Sequence, residues 1–466
     1  MTRILLSVLL AALALSIRAE VKLPRFFSDG MVLQQQTECR LWGTAAKGAA
    51  VSVTTSWDGK TCKTKADADG HFEVRLMTPK AGGPYDIRFN DGKTTVLRNI
   101  LLGEVWLCSG QSNMEMQMKG FKGQPVEGTA EELLRCRDSQ LRLFTVKRHA
   151  SLAPEYDVEG TWNEATAASV RDFSATAYYF GRALRSMLDV PVGLIVTSWG
   201  GSACEAWMKA DWLKAFPKVQ QTITEDDVKR LQQRCPTALY NGQLHPLIGY
   251  AIRGVIWYQG EDNVPRYDYY APLLTAMVRG WRQQWQQGDF PFYYCQIAPY
   301  DYSLIEWSGS QYLREQQLKA ETMIPNARMA VLMDAGLEYG IHPRKKRQAG
   351  ERLATLALAR TYNLLGLPDF ATYSSVEFKG DTAVVAFDRS KEWVYFENGT
   401  GSDNFEIAGS DRIFHKAEAW TSRNRVYVRS ADVPHPVAVR YAFRDWAVGD
   451  LMHDGLPVSS FRTDDW

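Results

Sequence analysis

The sequence predicts an α/β protein with a three-layer α/β/α core, in which helices cover both faces of a parallel sheet, flanked by small β-sandwich-like regions. Three observations support this class. Near-continuous apolar runs alternate with amphipathic stretches through the middle of the chain, whereas short runs of alternating apolar and polar residues precede and follow them. The 466 residues are too many for one ordinary core. Charged residues make up 23% of the chain, which is typical of globular proteins and argues against an extended disordered tract.

The first residues have the layout of a secretory signal. Arg3 precedes an apolar stretch over residues 4–15, and the small residue Ala19 stands directly before Glu20. We therefore expect residues 1–19 to be a signal peptide and the protein to be exported, either periplasmic or secreted. The apolar stretch is too short to span a bilayer as a stable anchor, so no membrane anchor is expected.

Charge and cysteine content narrow the classes of partner and site. Without residues 1–19 the chain has 52 basic against 53 acidic residues, and this balance does not favour a nucleic-acid partner or an acidic membrane. The seven cysteines show no CxxC or Cys/His ligand spacing, so neither a metal site nor a cofactor is predicted. Some cysteines could pair in an exported protein, Cys39 with Cys62 being the most local option, and the odd count leaves at least one free thiol.

The N-terminal region, residues 20–98, alternates apolar and polar positions in short runs such as VSVTTSW and HFEVRLM, with Asp/Gly/Pro turns between them. This pattern predicts a small antiparallel sandwich. Strand patterns return in residues 369–466, which predicts a second small β domain at the C-terminus.

The region between them, residues 99–368, is the predicted α/β domain. A polar, helix-like segment over 211–236 is expected to form an excursion from this domain, in the manner of a solvated cap. A final helix is predicted over about 345–364. The apolar runs that predict the parallel strands are EVWLCSG, PVGLIVTSWGG, GVIWYQGE, FYYCQIAP and ARMAVLMD.

Ser112 lies in the turn SGQSN, directly after the first of these apolar runs. Open α/β sheets place their active sites at this edge, beyond the carboxyl ends of the strands. A serine hydroxyl is a poor nucleophile until a base takes its proton, so a catalytic serine needs a histidine and donors that stabilise an oxyanion. The turn lacks the GxSxG pattern of α/β-hydrolases, and Ser112 could also serve as a helix cap.

The partners of such a serine have candidates in the sequence. His342 belongs to a His-Pro pair that precedes an alanine-rich helical stretch, where the proline fixes the helix start and therefore the direction of the histidine. His245 belongs to a second His-Pro pair and is the alternative. Gly200 and Gly201 follow one predicted strand and Gln259 ends another, so a backbone N–H and a side-chain amide could face a developing negative oxygen.

These motifs together resemble the sialate O-acetylesterase family of secreted bacterial carbohydrate esterases, within the SGNH/GDSL hydrolase superfamily. The resemblance extends over essentially the whole chain and implies an SGNH-type three-layer α/β/α catalytic domain. It implies that Ser112 is the nucleophile and gives its backbone N–H to the oxyanion hole, with Gly201 and Gln259 as the other donors. His342 is then the general base and later the general acid. The motifs that carry the resemblance include LPRFFSDGMVLQQ, GEVWLCSGQSNME, SWGGSACEAW, LYNGQLHPL, WYQGEDN and IHPRKKRQAGERLA.

The third member of the triad is left open by the resemblance. The superfamily commonly has an aspartate two or three residues before the histidine, where this chain has Gly340 and Tyr339. Glu338, four residues before His342, is the preferred orienting acid and Asp334 the next choice. A backbone carbonyl that orients the imidazole is the third possibility.

The resemblance implies a metal-independent serine esterase that removes acetyl groups from sugar hydroxyls through an acetyl-enzyme, with 9-O-acetylated sialic acid as the favoured substrate. Acetylated xylan or hemicellulose is the alternative substrate, and a noncatalytic carbohydrate-binding protein is the alternative from a different class. Activity near neutral pH is expected because the base must be unprotonated. The basic run 344–347 and Arg253 are candidates for binding the sugar, although a solvated surface explains the basic run more simply.

Overall fold

A computed structural model describes residues 20–390 and 392–466, so the predicted signal peptide lies outside the described residues. In the N-terminal region one sheet joins the fourth, third, sixth and seventh strands antiparallel, and the second strand pairs with the fifth. The strands are β1 (Val32–Gln34), β2 (Glu38–Thr44), β3 (Ala50–Thr55), β4 (Thr61–Lys65), β5 (His71–Met77), β6 (Gly82–Asn90) and β7 (Thr94–Gly110).

The strand β7 crosses the predicted domain boundary at residue 98. Its first half pairs with β6, and its second half continues as a central strand of the parallel sheet. No linker therefore separates the two regions at this point, and the N-terminal sheet is joined rigidly through one continuous strand to the sheet that carries Ser112.

The central sheet has the strand order β13-β12-β11-β7-β10-β8-β9 and is parallel from β13 to β8, with β9 antiparallel at one edge. This sheet confirms the predicted α/β class. The strand β8 was not predicted, because its polar first three residues leave only a short apolar run. The bounds are β8 (Asp138–Thr145), β9 (Trp162–Ala165), β10 (Val192–Ser198), β11 (Gly254–Tyr258), β12 (Phe292–Cys295) and β13 (Ala327–Ala330).

Helices cover both faces of this sheet. On one face Trp106 packs against Phe180 of α4, and Tyr293 hydrogen-bonds Thr361 directly after α9. On the other face Trp257 packs against Trp281 of α7, and the next strand contacts α8. The helices are α1 (Ser112–Glu115), α2 (Thr129–Leu133), α3 (Ala167–Arg171), α4 (Ala175–Leu188), α5 (Ala210–Leu213), α6 (Glu225–Leu231), α7 (Tyr270–Trp285), α8 (Ser310–Met323) and α9 (Lys346–Arg360).

The segment predicted as a cap, residues 211–236, contains most of α5, all of α6 and a 3₁₀ turn at Gln232–Arg234. The helix α6 starts with a capping box in which Thr224 and Asp227 bond each other's backbone N–H groups. Local capping therefore stabilises this short helix, which buries only Val228 among its own residues.

The C-terminal region forms antiparallel sheets that pack on the α/β core. Gln296, just past β12, donates to Ser459 Oγ at 2.7 Å, and Arg314 of α8 donates to the Arg444 carbonyl at 2.5 Å. The strands are β14 (Thr372–Lys379), β15 (Thr382–Asp388), β16 (Tyr395–Phe396), β17 (Phe405–Ala408), β18 (Phe414–Lys416), β19 (Glu418–Ser422), β20 (Arg425–Arg429), β21 (Ala438–Tyr441), β22 (Leu451–His453), β23 (Leu456–Pro457) and β24 (Phe461–Arg462).

The cysteines are all free thiols in the described part of the chain, and Cys39 does not pair with Cys62. Cys39 is buried inside the N-terminal region, where desolvation raises its pKa to about 12. Over residues 20–390 and 392–466, no helix is long and apolar enough to cross a membrane.

Candidate active site

Ser112 is the first residue of α1 and lies at the carboxyl edge of the central sheet, two residues after β7 ends. The backbone N–H of Gln111 donates to the Tyr258 carbonyl at 3.0 Å, which fastens the turn to β11. Gly110 has a φ of +137°, and a Cβ atom there would lie 2.1 Å from the same carbonyl oxygen. Only glycine fits this close approach, so the turn before the serine has a defined shape.

The His342 loop, between β13 and α9, is hydrogen-bonded directly to the turn of Ser112. Asn113 Nδ2, one residue after the serine, donates to the carbonyl of Ile341, one residue before the histidine, at 3.1 Å. The imidazole also packs edge-on against Phe121, with ring centroids 5.1 Å apart. The structure therefore places both segments in one site. No hydrogen bond joins the Ser112 hydroxyl to the imidazole within the described residues, and catalytic hydrogen bonds often tighten only when substrate is bound.

The orienting partner of His342 is an amide rather than a carboxylate. Nδ1 lies 2.5 Å from Gln124 Oε1, which can only accept, so Nδ1 carries the proton and Nε2 is left as a base. Neither predicted acid makes a hydrogen bond or an ion pair with the imidazole in the described chain. The backbone carbonyl of Glu338 accepts from Asp301, and both carboxylate oxygens of Asp334 bond Arg352 at 2.6 Å. Gln124 therefore occupies the place predicted for Glu338.

The environment of His342 disfavours its charged form. Burial lowers the pKa of the imidazole to about 4, and the positive charge of Lys346 acts in the same direction. A carboxylate on Nδ1 would oppose this shift, whereas the neutral amide of Gln124 does not. The imidazole is consequently an unprotonated base well below neutral pH.

A buried polar network lies beneath the serine. Lys346 is only 1% exposed and its Nζ donates to Asn113 Oδ1, although the basic run 344–347 was expected to form a solvated surface. Asn113 Nδ2 also donates to Glu261, which is 3% exposed. Burial lowers the pKa of Lys346 to about 7 and raises the pKa of Glu261. Asn113 thus joins a buried cation, a buried carboxyl group and the histidine loop.

The turn that carries Gly200 and Gly201 lies against Ser112. Gly200 approaches so closely that a Cβ atom there would lie 3.2 Å from Ser112 Cβ, and its N–H donates to Glu115 Oε2 at 2.8 Å. Arg148 holds the Glu115 carboxylate by two hydrogen bonds of 2.6 Å. The N–H groups of Ser112 and Gly201 have no acceptor within the described residues. These two N–H groups are therefore unengaged, and their role as oxyanion donors stays a prediction.

Gln259 does not take the predicted role of oxyanion donor. Its side chain is fully buried, and both amide N–H groups are used, one by the Ser202 carbonyl at 3.1 Å and one by Asn263 Oδ1 at 2.7 Å. Its Oε1 accepts from the Tyr270 hydroxyl at 2.8 Å. The amide points into the core because these partners surround it, and it supports the turn that carries Gly201.

Other candidates from the sequence lie outside this site. The ring of His245 bonds the Glu155 carbonyl at 2.9 Å and faces the N-terminal region. Arg253 pairs with Glu104 just before β11. This pair lies at the amino ends of the parallel strands, whereas Ser112 lies at their carboxyl ends. Of residues 20–390 and 392–466, no three His, Cys, Asp or Glu side chains gather as metal ligands.

Comparison with known proteins gives consistent matches. A family model described as a carbohydrate esterase, sialic acid-specific acetylesterase, matches residues 102–359. The sialate O-acetylesterase of Homo sapiens is 31% identical over 375 residues, which cover 72% of this chain and 70% of that protein. The Rattus norvegicus sialate O-acetylesterase is 30% identical over 72% of this chain and 73% of its own length. The crystal structure of a carbohydrate acetylesterase from Xanthomonas citri superposes with a TM-score of 0.87 at 36% identity, covering 96% of this chain and 100% of that one.

Proposed function

The chain belongs to the sialate O-acetylesterase family of carbohydrate esterases, and on that premise we propose that it removes acetyl groups from sugar hydroxyls by a serine mechanism, with 9-O-acetylated sialic acid as the favoured substrate. Family membership supports a carboxylic-ester hydrolase that acts on an acetylated carbohydrate. The serine mechanism and the preference for sialic acid are the finer parts of the proposal, and they rest on the site.

In the proposed reaction Ser112 Oγ attacks the acetyl carbonyl carbon while its proton passes to Nε2 of His342. The N–H groups of Ser112 and Gly201 donate to the oxyanion that forms. The intermediate collapses when the imidazolium gives its proton to the departing sugar oxygen, which leaves an acetyl group on Ser112. Water then attacks this ester with His342 as base, and acetate departs.

The observation that carries the proposal is the hydrogen bond from Asn113 to the Ile341 carbonyl, because it holds the histidine loop against the serine turn. The test is acetate release from O-acetylated sialosides and from acetylated xylo-oligosaccharides, compared side by side. Faster release from the sialosides is expected. Preferential release from the xylo-oligosaccharides would show that acetylated xylan, and not sialic acid, is the favoured substrate. Release from neither, without labelling of Ser112 by a fluorophosphonate, would favour a noncatalytic binding protein.

The pH dependence follows from the surroundings of His342. Because burial lowers the pKa of the imidazole to about 4, the base stays unprotonated as the pH falls through 6.5, the ordinary range of histidine. We expect kcat/KM for an aryl acetate to be nearly constant between pH 7 and about 5.5 and to fall only at lower pH. A half-maximal point near pH 6.5 or above would contradict this assignment.

Replacing the amide of Gln124 should shift the acid limb of the pH profile of kcat/KM. In Gln124→Glu a carboxylate faces Nδ1 and stabilises the imidazolium, so the acid limb of kcat/KM should shift upward by about one pH unit or more. The control is Gln140→Glu, which adds the same charge at an exposed position. Gln140 lies at the start of β8, at the amino ends of the parallel strands and away from Ser112. An equal shift in both variants, or none in Gln124→Glu, would show that Gln124 does not set the titration of His342.

A further inference from the structure

The end of the cap segment, residues 211–236, lies beside the turn that carries Gly201. A Cβ atom on Gly201 would lie 3.5 Å from Gln233 Nε2 and 3.9 Å from Arg234 Nη2, and both residues belong to the 3₁₀ turn that follows α6. Gly200, the neighbouring residue, contacts Ser112. Two hydrogen-bond donors from the cap therefore stand beside the turn that is in direct contact with the nucleophile.

The side chain of Arg234 is hydrogen-bonded to a buried carboxylate. Its Nε donates to Asp262 Oδ1 at 2.7 Å, and Asp262 is 3% exposed while the Arg234 side chain is 54% exposed. In the described chain its Nη1 and Nη2 atoms make no hydrogen bond. Asp262 thus holds the guanidinium through Nε. The N–H groups on Nη1 and Nη2 are free and exposed to solvent at the rim of the site.

The other two arginines near this turn each have two guanidinium nitrogens bonded to protein carboxylates. Arg148 donates through Nε and Nη2 to the two oxygens of Glu115. Arg266 donates through Nε to Glu205 and through Nη2 to Asp262. The sequence also suggested Arg253 and the run 344–347 for contacts with the sugar. Arg253 pairs with Glu104, and each residue of the run bonds a protein group through its side chain, except Arg344. Arg234 is therefore the arginine beside Gly201 whose two terminal nitrogens are both free in the described chain, while Nε holds the guanidinium in place.

We propose that Arg234, with Gln233 beside it, binds a carboxylate of the acetylated sugar and so determines a preference for acidic over neutral substrates. The inference rests on the proposed function and concerns the same site. A planar guanidinium matches a carboxylate through paired N–H donors, and such charge-assisted hydrogen bonds are stronger than neutral ones. Asp262 reduces the entropy lost on binding, because it already holds the guanidinium in place.

The test compares two substrates that differ in one group, a 9-O-acetylated sialoside with its free carboxylate and the same compound as the carboxamide. The wild-type protein should give a kcat/KM for acetate release about tenfold higher on the carboxylate. In Arg234→Gln this ratio should fall close to one. The ratio cancels any general loss of activity in the variant. The control is Arg230→Gln, which removes an exposed cap cation that pairs with Asp227 within α6, and its ratio should stay at the wild-type value.

A wild-type ratio near one, or an unchanged ratio in Arg234→Gln, would overturn the carboxylate site while leaving the esterase activity in place. A ratio that falls equally in Arg230→Gln would assign the effect to the net charge of the cap and would also overturn it. Absence of acetate release from both substrates, and from an aryl acetate, would overturn the proposed function and this inference with it.

Discussion

A Ser112→Ala protein is expected to hydrolyse aryl acetates at least about a thousandfold more slowly than the wild-type chain, because it lacks the oxygen that attacks the acetyl carbon. His342 and the two backbone donors would still be present, so any residual rate would come from water attacking a bound ester. The side chain is only partly buried and makes no hydrogen bond within the described residues. We therefore expect the variant to unfold at the same temperature as the wild type.

The control for this variant is Ser109→Ala, three residues earlier on β7. Ser109 is fully buried and its hydroxyl has no hydrogen-bond partner in the described structure, so the same chemical change should leave both the rate and the fold intact. A serine-directed fluorophosphonate should label the wild type and Ser109→Ala but not Ser112→Ala. Wild-type hydrolysis by Ser112→Ala would refute the assignment of the nucleophile.

The fold class and the two main site segments could be predicted from sequence because their signals are local. A buried apolar run that ends in a Gly-Gln-Ser turn marks the carboxyl end of a strand, and a proline after His342 marks a helix start. The continuity of β7 across residue 98 had no such signal, since an alternating pattern changes there to a continuous apolar one. One strand can carry both patterns when its first half is exposed on one face and its second half is buried on both.

The parts of the site that were missed depend on tertiary contacts. Gln124 reaches His342 from 218 residues away, and nothing near the histidine in sequence indicates an amide partner. The burial of Lys346 is equally non-local, because its neighbours in the run Arg344 to Arg347 reach solvent while it faces Asn113. Gln259 ends a strand where a side chain can face the pocket or the core, and Asn263 and Tyr270 decide in favour of the core.

Asn113→Asp is expected to lower kcat about a hundredfold with little change in KM, because Asn113 is only 1% exposed and acts through its hydrogen bond to the histidine loop. The aspartate keeps an oxygen for Lys346 but replaces Nδ2, so it loses the donors to Ile341 and Glu261. The carbonyl before His342 then faces a second oxygen instead of an N–H group, and the loop should move away. A displacement of about 1 Å at a catalytic group is enough for a loss of this size.

The loss of rate in Asn113→Asp must be separated from a general loss of stability, and Thr176→Val provides that comparison. Thr176 is fully buried and its hydroxyl donates to the backbone carbonyl of Asn113 at 3.1 Å, so its removal should destabilise the same turn by about 1–3 kcal/mol. It leaves the Asn113 amide and its contact with Ile341 intact. If positioning of His342 is the cause, kcat falls in Asn113→Asp far more than in Thr176→Val at similar unfolding temperatures. Equal losses in both variants, or a kcat within threefold of wild type in Asn113→Asp, would show that the hydrogen bond to Ile341 is not needed to align the two groups.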